Sequence, residues 1–153
     1  MEEERQHQQA FGGHTGISKE CRNLISLIKD NNPYQDELEL YNEDTDNFTN
    51  FAWRLFGRYV ANNTHLKEIN LDKCYLTDEI MSILFRELVR SSSLKSLLLN
   101  DNEFGIEGVR SMIPLLQNSP QLSDNYLYYT WAAIGISTQI ALIYWLVHCM
   151  EGQ

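Results

Sequence analysis

The sequence predicts an α/β fold, a short right-handed solenoid of about three strand-turn-helix units with a helical cap before it and an apolar helix after it. The first observation behind this is a repeat: Leu66, Ile69, Leu71, Cys74 and Leu76 recur 28 residues later as Leu94, Leu97, Leu99, Asn102 and Phe104. The second is that each set is followed by an amphipathic stretch at helical spacing, Ile80, Ile83, Leu84, Leu88 and Val89, then Val109, Met112, Ile113, Leu115 and Leu116. One such unit cannot bury its apolar face alone, so stacked copies must share a core.

Taken in order, residues 1–18 are rich in Glu, Gln, His and Gly, show no apolar periodicity, and are expected to be a disordered lead-in. Ser18, Lys19, Glu20 and Cys21 form an N-cap and first turn, and Leu24, Ile25, Leu27 and Ile28 predict a short capping helix that ends before Asn31, Asn32 and Pro33. A degenerate first repeat follows, in which Leu38 and Leu40 align with Ile69 and Leu71 at a shift of 31, and Phe51, Ala52, Leu55, Phe56 and Tyr59 form the helix face. Glu43 and Thr45 stand where Cys74 and Leu76 are expected, a departure that suits a terminal repeat. A further copy begins at Leu122 and fails at Asn125, so the repeat domain is assigned to residues 19–125.

The stretches THLKEINLDKCYLTDE and SSLKSLLLNDNEFGIEG resemble the ribonuclease-inhibitor-like class of leucine-rich repeats, whose units alternate a strand with a helix. DNNPYQDELELYNED, running on to ANNTHLKEINL, is similar to the start of the repeat domain in tropomodulin-type proteins. The resemblance covers residues 19–122 and implies a fold and a protein-binding class. The shared positions are generic to the repeat, so it implies no particular partner.

Strand leucines pointing into the solenoid leave the intervening residues on the concave sheet face, where a protein partner would meet them. These are Glu37, Glu39 and Tyr41; Lys67, Glu68, Asn70, Asp72 and Lys73; and Lys95, Ser96, Leu98, Asn100 and Asp101. Leu98 and Tyr41 are the candidate apolar anchors within a polar rim. Cys74 and Asn102 hold the inward ladder position, where a side chain bonds the backbone of the turn, and their expected role is structural.

Other functions find little support. Twelve Lys and Arg against 21 Asp and Glu, a net charge of -9, disfavour nucleic acid, which is held by clustered cations. Cys21, Cys74 and Cys149 include no CxxC pair, and reduced thiols in the cytoplasm fit best. The acidic, polar start lacks the pattern of a secretory signal, so the sequons at Asn47 and Asn62 are expected to stay unmodified. His7, His14, His65 and His148 are scattered, and there is no nucleophile motif, HExxH or phosphate loop; neither an enzyme nor a cofactor is expected. The acidic run of Asp36, Glu37, Glu39, Glu43, Asp44 and Asp46 lacks EF-hand spacing, and no metal site is expected.

Residues 126–150 carry no charge, and 140–147 run without a polar face, unlike a repeat helix or a polar end cap. Three readings stay open. Residues 131–150 have the length of a membrane-spanning helix, with Tyr126, Tyr128, Tyr129 and Trp131 as an interfacial belt, which would make a tail-anchored protein displaying its repeats to the cytosol. The tail could instead be a diverged last repeat or a self-association surface, or it could mark the chain as a fragment.

Overall fold

Three strands of three residues each, β1 (Glu37–Glu39), β2 (Glu68–Asn70) and β3 (Ser96–Leu98), lie side by side in chain order as a parallel sheet. The computed structural model describes residues 1–119 and Leu122. Leu38 pairs with Ile69, and Ile69 with Leu97, so the observed register has the same offsets of 31 and 28 as the aligned sequence repeats. Parallel neighbours cannot be joined by a tight turn, and helices make the crossovers here. The remaining elements are α1 (Glu2–Phe11), α2 (Lys19–Lys29), α3 (Asn42–Thr45), α4 (Asn50–Asn62), α5 (Asp78–Leu88) and α6 (Ile106–Asn118).

The core is a column of the repeated apolar residues. Leu66, Ile69, Leu71 and Leu76 from the β2 unit and Leu94, Leu97 and Leu99 from the β3 unit are all at most 2% exposed. Met81, Leu84, Phe85 and Leu88 of α5 close over them, flanked by α4 on one side and α6 on the other. Each such side chain contributes about 1.5 to 3 kcal/mol by leaving water, which explains why three-residue strands with few hydrogen bonds suffice. Helix starts are marked locally: the Ser18, Thr49 and Thr77 hydroxyls accept from the amides of Cys21, Ala52 and Ile80.

The lead-in expectation for residues 1–18 is corrected. Glu2–Phe11 is a helix whose last turns bury His7, Ala10 and Phe11. Phe11 lies 5.4 Å from Phe48, centroid to centroid, and Phe48 lies 4.9 Å from Trp53, so α1 seals an aromatic cluster on α4. The His7 Nδ1 is 3.2 Å from the Tyr59 hydroxyl and its Nε2 is 3.4 Å from the Ser26 hydroxyl. Lys29 of α2 also bonds Glu4 of α1 at 2.8 Å. The cap is therefore two helices, and α1 went unseen because its apolar residues are few and crowd one end of an acidic run.

The apolar helix expected over 126–150 lies outside the described residues, as does its reading as a membrane span. Among the described residues no helix is long and apolar enough to cross a membrane.

Candidate functional site

Outward positions of the sheet stand in register across β1 and β2. Glu37 and Glu39 are exposed, with Glu68 and Asn70 half-buried beside them, while Leu38 and Ile69 between them are buried. A concavity of about 470 Å³ opens over this part of the sheet, lined by Gln35, Asp36, Glu37, Leu38, Glu39, Glu68 and Asn70. Its rim is acidic. The exposed Lys67 meets Asp36 at 3.3 Å, which leaves Glu37, Glu39 and Glu68 as its negative groups with no lysine or arginine nitrogen within 4.0 Å among the described residues. Asn70 donates to Glu39 at 3.1 Å, and a hydrogen bond with Glu39 pushes the Tyr41 hydroxyl pKa up. Tyr41 is 52% exposed, and Tyr34, next in the chain to the lining residue Gln35, is 92% exposed.

The other sequence-predicted face residues divide into four groups. Lys95, just before β3, is exposed, and Leu98 at the end of β3 is half-buried. Lys73 and Asp101 belong to the turns after β2 and β3, in left-handed backbone at φ 56° and 55°, so they are exposed but off the strand face. Asp72 and Asn100 face each other: Asp72 Oδ1 accepts from the Asn100 amide at 2.6 Å and Oδ2 from its side chain at 3.2 Å. They brace successive turns, which leaves them less free to meet a partner. Ser96 is corrected outright. It is only 6% exposed, although its register neighbour Glu68 is half-buried.

Beneath the face lies the ladder. Asn102 Oδ1 accepts from the amides of Cys74 and Leu76, both at 3.0 Å, and its Nδ2 donates to the carbonyls of Leu71 and Leu99 at 2.9 and 3.0 Å. One amide side chain thus ties two repeats together. Cys74 reaches back one repeat, with Sγ 3.2 Å from the Leu40 carbonyl. Its burial pushes the thiol pKa up to about 12, so it is protonated and inert at neutral pH. In the first repeat the ladder turn is replaced by α3, with Thr45 buried and Glu43 exposed.

Gln35, and Asp36 beyond its place in the acidic run, were not assigned to this face from the sequence. Asp36 aligns with Lys67 through the same offset of 31, and extending the alternation one step before each strand would have found it. Among the described residues no three His, Cys, Asp or Glu side chains are grouped so as to hold a metal ion.

No protein-family model matches the chain, and no curated protein matches it. Among solved structures the fold is similar to that of Leiomodin-1 actin-binding site 2, with a TM-score of 0.60 and 20% identity over 70% of this chain and 61% of that one. It is also similar to the tropomodulin C-terminal domain of Caenorhabditis elegans, with a TM-score of 0.53 and 15% identity over 68% and 59%. At these identities the likeness is one of fold, a leucine-rich-repeat-like α/β architecture. The chain spans about 60% of the length of both structures.

Proposed function

We propose that this chain is a non-enzymatic protein-binding module, a right-handed solenoid of the ribonuclease-inhibitor-like kind, that captures a partner with a basic surface across its sheet. The observation that carries this reading is the acidic concavity over β1 and β2, where Glu37, Glu39 and Glu68 project from strands held in register. A surface already ordered by its own core loses little entropy on binding. Charges at its rim steer a partner of opposite sign. Tyr34 and Tyr41 are the aromatic side chains placed to anchor it. The two similar structures are described as an actin-binding site and a tropomodulin domain, which supports a protein as the partner and makes actin the first one to try. Buried free thiols at Cys21 and Cys74 suit a reducing compartment such as the cytoplasm.

The test is capture by the full chain against a Glu37→Lys, Glu39→Lys, Glu68→Lys variant, with circular dichroism to verify folding and purified monomeric actin as one probe. Loss of captured proteins with the folded variant supports the sheet face. Equal capture by both sinks it, and absence of actin binding removes actin alone.

A further inference from the structure

α4 and α5 approach closely at Gly57, where an added Cβ would lie 3.0 Å from the Glu87 Cβ and 3.1 Å from the Leu84 carbonyl oxygen. Between the first turns of α4 and the middle and last turn of α5 a groove of about 210 Å³ opens, lined by Asn50, Phe51, Arg54, Ile83 and Arg86. Phe51 and Ile83 are half-buried and pack against the core, forming an apolar floor, while Arg54 and Arg86 are exposed beside it. The Arg54 guanidinium rests on the floor, 5.4 Å from the Phe51 ring centroid.

The two arginines here differ from three others in the chain. Arg5, Arg90 and Arg110 each pair with a glutamate three residues away. Among the described residues neither Arg54 nor Arg86 has a carboxylate within 4.0 Å, although the chain has 21 acidic residues. Glu79 on the first turn of α5 accepts instead from the Asn50 side chain at 2.8 Å. Two guanidinium groups without a carboxylate therefore flank an apolar floor between two helices that Gly57 holds together.

We propose that this groove docks a short acidic segment of a partner protein, seating one large apolar side chain on Phe51 and Ile83 and flanking carboxylates on Arg54 and Arg86. A guanidinium matches a carboxylate with two parallel hydrogen bonds, and arginine with an apolar neighbour recurs among the residues that dominate binding energy. The sheet face cannot serve the same ligand, because Glu37, Glu39 and Glu68 repel it. The two surfaces select opposite charges, and each can fail without the other.

The test is selection of a random-peptide phage library on the full chain, followed by affinity measurement on Arg54→Glu, Arg86→Glu and on the sheet-face lysine variant. Both groove substitutions are at exposed positions and should leave the melting transition in place. The expected result is enriched peptides with one large apolar residue flanked by Asp or Glu. Their binding should weaken at least about tenfold in the groove variant and hold in the sheet variant. Enrichment of no peptide, of peptides without acidic flanks, or of peptides that bind the groove variant equally well overturns the proposal. Basic peptides lost only in the sheet variant would support the sheet face, and their enrichment with no acidic class beside them overturns the groove.

Discussion

Asp78 and Gly108 join two repeats: one carboxylate oxygen of Asp78, on the first turn of α5, accepts from the Gly108 amide at 2.8 Å and from the Gly105 amide at 2.7 Å. α6 has no capping side chain of its own, since Gly105 stands at its N-cap. The preceding repeat supplies the acceptor, and a carboxylate also suits the positive end of the helix dipole. Asp78→Ala should cost about 1 to 2 kcal/mol in urea unfolding, in the range of lost N-caps, and Asp78→Asn should cost less because an acceptor remains. An unchanged midpoint for Asp78→Ala would mean that α6 does not depend on this bond.

Asn102 satisfies two amides and two carbonyls that no other side chain among the described residues reaches. Asn102→Ala leaves these groups in a partly buried turn without their partner. The expected loss is about 2 to 4 kcal/mol, since each stranded group costs roughly 1 to 3 and the exposed ones recover water. Equilibrium denaturation checks it.

His7 links pH to the docking of α1. Burial lowers its pKa, with the nearby Lys29 ammonium adding to the effect, while Glu4, Asp30 and Glu3 work the other way. The folded state therefore favours the neutral ring, and the unfolded chain takes up the proton first as pH falls below about 6.5. The stabilisation is full above that pH and is lost as pH falls from there through the folded-state value. Thermal melts at pH 7.5 and 5.5 should show a drop in the wild type, and the drop should shrink in His7→Gln. Equal drops would place the pH dependence elsewhere.

Leu97 and Leu98 are adjacent on β3, one 2% exposed and one half-buried. Leu97→Ala should cost about 2 to 5 kcal/mol as a core truncation, whereas Leu98→Ala should cost less than about 1. Denaturation of the two variants in parallel distinguishes inward from outward sides of the strand, and equal losses would contradict the register.

Much of this architecture was legible because its signals are local. A period of two for strands and 3.6 for helices is a short-range pattern, and the offsets of 31 and 28 carried it from one repeat to the next, down to the pairing of Leu38, Ile69 and Leu97. The cap read at Ser18 is equally local, bonding an amide three residues on, and the caps at Thr49 and Thr77, which were not assigned from the sequence, bond in the same way.

What the sequence alone determined, then, was the order of the three strands and of α2, α4, α5 and α6, the strand register and the leucines of the core, since each is written in neighbouring residues. Only the tertiary structure decided that α1 docks, that Ser96 is buried, that Asp78 caps the next repeat and that Arg54 and Arg86 share one groove. His7 and Tyr59 are 52 positions apart and Asp78 and Gly108 are 30, and their meeting depends on how whole helices pack. No local period encodes such a contact, because burial and hydrogen-bond partnership are properties of the assembled surfaces.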